Sequence, residues 1–142
     1  MTIDERSERS EKPPTSVADG AGGSAPGAIT RLEPGPRMSQ AVVYGGVAYL
    51  AGIVADELVP SVGEQTRQIL AKIDRLLAAA GSDKTKLLKA NIWLADIRRF
   101  DEMNAAWDAW VARGSAPARA TVEARLAGAG YLVEIMVEAA VS

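Results

Sequence analysis

Neither cysteine nor histidine occurs anywhere in the 142 residues. That double absence excludes disulfides, thiol nucleophiles, zinc sites of the usual Cys/His kind and every catalytic dyad built on imidazole. Any acid–base work falls to carboxylates, lysine, tyrosine, backbone groups or water. Long apolar runs are lacking too: nothing approaches the roughly 18 residues of a membrane helix. The first residues, MTIDERSERSEK, lack the apolar stretch of a secretory signal. The expected setting is cytoplasmic, with no membrane partner. There is no excess of basic charge, for the formal net charge is -2. Residues 1–30 carry all of it, with Asp4, Glu5, Glu8, Glu11 and Asp19 against Arg6, Arg9 and Lys12, and residues 31–142 balance to zero. Phosphate neutralisation needs a concentrated basic patch, so a nucleic-acid partner is not expected.

What is present is a chain of single-domain length with 48% hydrophobic residues, enough for a real core. Residues 1–30, including DGAGGSAPGA, are rich in Ser, Gly, Pro and charge. Such a segment buries too little apolar surface to offset the ordering of its backbone, which predicts a disordered extension before one domain over 31–142. That domain opens with a hairpin signal, AVVY and VAYLAG joined by Gly45-Gly46. Ser61 and Glu64 form a capping box ahead of a helix with Ile69, Leu70, Ile73, Leu76, Leu77 and Ala80 on one stripe, and Gly81 ends it. KLLKANIWLAD alternates Leu88, Ala90, Ile92 and Leu94 against Lys89, Asn91, Trp93 and Ala95, the pattern of a strand. A second helix is expected from about Asp101 to Arg113, with Phe100, Met103, Trp107, Trp110 and Val111 on its stripe. Two strands close the order β-β-α-β-α-β-β, an α+β domain with both helices on one face of a mixed sheet.

The stretch PARAT opens the penultimate strand. From Arg119 onward the residues alternate, with Arg119, Thr121, Glu123 and Arg125 on one side and Ala120, Val122, Ala124 and Leu126 on the other. One side is too polar for a dry core. It is therefore expected on the uncovered sheet face with Glu134, Glu138, Met136, Leu132 and Trp93, covered by another subunit that leaves a cleft.

From about Pro36 to Val141 the chain resembles the reactive-intermediate deaminase (Rid, YjgF-like) family and its YoaB-like branch. The resemblance rests on MSQAVVYGGVAYLAG, EQTRQILAKIDRLLAAAGSDK, IWLADIRRFDEMNAAWDAW, PARATVEARL and YLVEIMVEAA in this order and spacing. It implies a chorismate-mutase-like fold assembled as a homotrimer with clefts between subunits. It also implies hydrolysis of reactive enamines or imines, released by pyridoxal-phosphate enzymes, to 2-oxo acids and ammonia, without metal or cofactor. The family's carboxylate-binding arginine, in its Pro-x-Arg motif, falls on Arg119, its water-positioning acid on Glu134, and its helix asparagine on Asn104. Where archetypal members carry a cleft tyrosine, a serine, a cysteine and a second acid, this chain has Met38, Ala51, Thr121 and Met136. Met38, Ala51, Asn104 and Thr121 are thus the expected substrate-binding wall, and Arg119 and Glu134 the catalytic pair.

The chemistry of Arg119 agrees, since a guanidinium grips a small-molecule carboxylate in two parallel bonds. The competing account is a structural interface ion pair of Arg119 with Glu123 or Glu134 of its own or a neighbouring chain. Trp93, Trp107 and Trp110 are expected as core or interface aromatics. Two functions stay open: a deaminase, or a trimer that binds or senses a small carboxylate without turnover.

Overall fold

The computed structural model describes residues 27–142. Most of the expected N-terminal extension, residues 1–26, lies outside them. Six strands form one mixed sheet: β1 (Thr30–Pro34), β2 (Ser39–Tyr44), β3 (Val47–Leu50), β4 (Leu87–Leu94), β5 (Ala118–Glu123) and β6 (Val133–Ala140). Two helices, α1 (Val62–Ala79) and α2 (Phe100–Trp110), cover one face. The spatial order is β1-β2-β3-β6-β4-β5, with only β4 and β5 parallel. The expected α+β order is all present, preceded by one strand that sequence patterning did not signal. β1 starts at Thr30, where the low-complexity stretch ends, and its pairing with β2 is what makes it a strand.

Local chemistry sets the joints. Gly45 and Gly46 take φ of 60° and 81°, the left-handed pair that a two-residue hairpin turn demands. Ser61 caps α1 by accepting from the Glu64 N–H at 3.1 Å. Gly81 leaves the helix at φ 85°. Ile69, Leu70, Ile73, Leu76 and Leu77 of α1 are all buried to 2% exposure or less. Their removal from water is worth on the order of 10 kcal/mol. They rest on Ala41, Ala48, Ala90 and Ala139, whose small side chains let the helix lie close to the sheet. Among the described residues no helix is long and apolar enough to cross a membrane.

Two registers differ from the sequence reading. In β4 a bulge between Leu87 and Lys89 reverses the alternation, so Leu87 is buried and Leu88 is 47% exposed. In β5 the parallel register sets Arg119 beside Ala90 and Thr121 beside Ile92. Ala90 and Ile92 are core residues, and laterally paired residues share a face. Arg119, Thr121 and Glu123 therefore point to the helix side, and Ala118, Ala120 and Val122 to the uncovered side. This corrects the expected placement of Arg119, Thr121 and Glu123 beside Glu134. The physical reason is that β5 is an edge strand and its helix side lies at the margin of the core, where polar groups keep access to solvent. Glu134, Met136 and Glu138 do lie on the uncovered face, in register with Trp93, Asn91 and Lys89.

Candidate ligand site at Arg119

Pro117 lacks a backbone donor and is fixed in φ, which suits the residue just ahead of an edge strand. Two positions on, the Arg119 guanidinium reaches across to α2, with its central carbon 5.2 Å from the Trp107 ring centre and 5.8 Å from that of Phe100. Phe100 and Trp107 are seven apart on α2, so their rings share one side of the helix. Among the described residues Arg119 makes no ion pair. Arg67, Arg75, Arg98 and Arg99 each hold a carboxylate. The other unpaired arginines, Arg31, Arg37, Arg113 and Arg125, are exposed, whereas Arg119 is half-buried. Burial pulls the Arg119 guanidinium below its ordinary pKa, and Asp108 opposes that. It remains cationic, as arginine does in proteins.

Ring faces attract a cation through their quadrupole, by about 0.5–2 kcal/mol. Unlike a carboxylate, they neither neutralise the charge nor occupy the N–H donors in the guanidinium plane. Arg119 is thereby held in place with its donors available. Within one chain the ion pair of Arg119 with Glu123 or Glu134 is not formed among the described residues. Glu123 instead accepts from the Ile97 N–H at 3.0 Å. Glu134 projects from the other sheet face, two strands away across β4.

Two further polar groups surround Arg119. Asn104 follows Phe100 by four and precedes Trp107 by three, so it lies on the same helical stripe. Thr121 follows Arg119 by two on the same strand face. Asn104 Oδ1 and Thr121 Oγ1 are both buried and, among the described residues, without a hydrogen-bond partner. Buried polar atoms are nearly always paired, which makes these two an exception among the described residues.

Glu134 sits in a different setting. The bridge Ile53–Ile135, with N···O of 2.8 and 3.0 Å in its two directions, lays the segment after β3 against β6. A Cβ added at Gly52 would stand 2.1 Å from Glu134 Oε2. The carboxylate thus occupies the space that only glycine leaves free, and among the described residues it has no ion pair. Ala51 packs against the core, its N–H donating to the Gln40 carbonyl at 2.9 Å. Met38 is half exposed, and its carbonyl closes the turn at Gly35.

Four of the six expected site residues fall into two groups, and Met38 at the turn before β2 and Ala51 after β3 stand apart from the Arg119 group. Arg119, Asn104 and Thr121 cluster at the β5–α2 margin, while Glu134 lies with Gly52 on the opposite face. Sequence reading missed Gly52, Phe100 and Trp107. The spacing of Phe100, Asn104 and Trp107 carried the signal for the two rings, since it puts all three side chains on one stripe. A hollow of about 770 Å³ lies elsewhere, beneath the loop of residues 124–131. Glu123, Arg125 and Tyr131 line it together with Ala95 and residues 124–129, and it includes neither Arg119 nor Glu134.

Comparison with known proteins adds to this geometry. The family model described as Endoribonuclease L-PSP matches residues 28–141. A RutC family protein, YoaB, from Escherichia coli K12 is 44% identical over 113 residues, covering 80% of this chain and 98% of its own length. The crystal structure of a YjgF family member from Neisseria meningitidis is 46% identical with a TM-score of 0.80, over 82% of this chain and 97% of that one. A 2-iminobutanoate/2-iminopropanoate deaminase of Bos taurus is 37% identical over 103 residues, 68% of this chain and 74% of its own.

Proposed function

Starting from the premise that this chain belongs to the endoribonuclease L-PSP family, with its YjgF-like and RutC-like members, we propose that it hydrolyses 2-imino acids to 2-oxo acids and ammonia at clefts between copies of itself. The observation that carries this reading is the Arg119 guanidinium, half-buried on two aromatic rings and free of any carboxylate among the described residues. The bovine relative bears the name of the same chemistry.

Arg119 would grip the substrate carboxylate in a bidentate pair, which fixes the neighbouring C=N carbon. A protonated imine at that carbon is already electrophilic. Water adds to it, the proton it loses passes to nitrogen, and the C–N bond breaks with the electron pair leaving on nitrogen. The iminium and one water thus become a 2-oxo acid and an ammonium ion. Glu134 is the group to hold and polarise that water. Within one chain it is on the wrong face, so the Glu134 that serves a given Arg119 belongs to a neighbouring copy. A homotrimer meets this requirement and also covers Tyr49, Trp93 and Met136 on the uncovered sheet face. Neither metal nor cofactor enters the scheme, and the proposed setting is the cytoplasm.

RNA cleavage, named in the family description, draws no support from a folded part whose charges balance. The test is to generate 2-iminobutanoate in situ and follow 2-oxobutanoate release, with light scattering on the same sample. Acceleration by a trimer, falling by about 30-fold or more in Arg119→Ala, is the expected result. Ligand-induced thermal stabilisation without acceleration would establish a binding protein instead.

A further inference from the structure

We propose that the hollow beneath the loop of residues 124–131 is a second binding site, which takes a free α-amino acid with an aromatic side chain: Arg125 grips the carboxylate, Glu123 the ammonium group, and Tyr131 packs on the side chain. The site is independent of the reading of Arg119, since neither Arg119 nor Glu134 lines it. Glu123 and Arg125 both do, with opposite charges two residues apart. Among the described residues neither forms an ion pair, with the other or with any third group. Glu123 accepts from the Ile97 N–H through Oε1 at 3.0 Å, which fixes the carboxylate and leaves Oε2 open. The charge of Arg98 also reaches Glu123, but its guanidinium is bound to Asp96 at 3.0 and 2.9 Å. Two opposite charges that line one hollow without neutralising each other match a molecule that carries both.

The frame around the hollow is formed in advance. The Ala124 N–H donates to the Leu94 carbonyl at 2.9 Å and the Ala95 N–H to the Leu132 carbonyl at 3.0 Å, which ties both ends of the wall to the sheet. The loop itself is pinned by the fully buried Gln65, bonded to the Gly130 carbonyl and the Leu132 N–H, and is closed by the Tyr131 N–H on the Gly128 carbonyl at 3.2 Å. A Cβ added at Gly128 would stand 3.3 Å from two carbons of the Tyr131 ring, so that ring lies close against backbone. Walls already ordered spare a ligand the cost of ordering them. The volume of about 770 Å³ falls within the roughly 300–1,000 Å³ of small-molecule sites. It leaves room beyond what a carboxylate and an ammonium group fill, and the Tyr131 ring offers that room an aromatic contact.

The test titrates three compounds that share one ring into the full chain by calorimetry: L-phenylalanine, 3-phenylpropanoate, which lacks the ammonium group, and phenethylamine, which lacks the carboxylate. Phenylalanine is expected to bind about fivefold more tightly than either analogue. Glu123→Gln keeps an acceptor for the Ile97 N–H and should abolish the advantage over 3-phenylpropanoate. Arg125→Gln should abolish the advantage over phenethylamine, and Arg119→Ala should leave the affinity for phenylalanine within about twofold. Phenylalanine binding no more tightly than the analogues, or not at all, would overturn the inference. So would an advantage that survives both substitutions, or a loss confined to a natively melting Arg119→Ala, which would place the ligand at Arg119 instead. Light scattering on the same samples supplies the last check: variants that lose binding only as their oligomeric state changes would assign Glu123 and Arg125 to contacts between copies and overturn it too. None of these four failures touches the deaminase reading, whose readout is 2-oxobutanoate release.

Discussion

Gly52→Ala separates the placement of Glu134 from the stability of the fold. The new Cβ would lie 2.1 Å from Glu134 Oε2 and 3.1 Å from its Cδ, where ordinary contact begins at 3.4 Å. The carboxylate must retreat by more than about 1 Å, a displacement able to cost about 100-fold in rate when the group positions a reactant. The fold has little reason to suffer. Gly52 is not among the positive-φ residues, and the atoms in the way are the far end of a half-buried side chain. A new Glu134 rotamer costs about 0.5–1.5 kcal/mol, and the loss of glycine's freedom in the unfolded chain returns about 0.4–1 kcal/mol. The net change stays within about 1 kcal/mol, or a melting shift under about 5 °C. The assay is 2-oxobutanoate release from 2-iminobutanoate, beside a thermal melt. An unchanged kcat/KM in Gly52→Ala would refute the claim that Glu134 acts from this position, and a melt lowered by more than about 10 °C would refute the claim that its carboxylate is free to move.

Other perturbations test the scaffold around the site. Phe100→Leu removes one of the two rings under Arg119 at a partly exposed position, and should raise KM about two- to fivefold with little change in melting temperature. Gln65 is fully buried and bonds the Val59 and Gly130 carbonyls at 2.8 and 3.0 Å and the Leu132 N–H at 3.1 Å. Gln65→Leu strands all three backbone groups and should cost about 3 kcal/mol or more in urea unfolding, whereas a loss below about 1 kcal/mol would mean that water replaces the amide. The Glu102 carboxyl is held below its ordinary pKa, first by the Gly63 N–H at the start of α1 and then by Arg99. Because the folded value lies below the unfolded one, its stabilisation is present above the unfolded pKa and disappears as pH falls through the folded one. Glu102→Gln should therefore flatten the decline in melting temperature between about pH 5 and pH 3 relative to the parent.

Much of this architecture is written in short-range chemistry. Gly45-Gly46, the Ser61–Glu64 cap and Gly81 act through φ and a few hydrogen bonds, so the hairpin and the limits of α1 were legible without the rest of the chain. Stripes such as Ile69–Ile73–Leu77 need only a helical period. The resemblance through PARAT singled out Arg119, and alternation tied Thr121 to the same side.

Alternation cannot say which side that is. The direction was decided when β5 paired parallel to β4 in register with Ala90 and Ile92, an outcome of topology and helix packing across the sheet. Polarity argued for the uncovered face because a sheet's helix side is apolar at its centre. At an edge strand that rule lapses, and α2 offers Phe100 and Trp107 as a seat for a cation. The bulge that exchanges Leu87 for Leu88, the strand at Thr30 and the nesting of Glu134 against Gly52 are likewise contacts between segments distant in sequence. Residue order determined the elements and their chemistry, and only three-dimensional packing decided which faces they present.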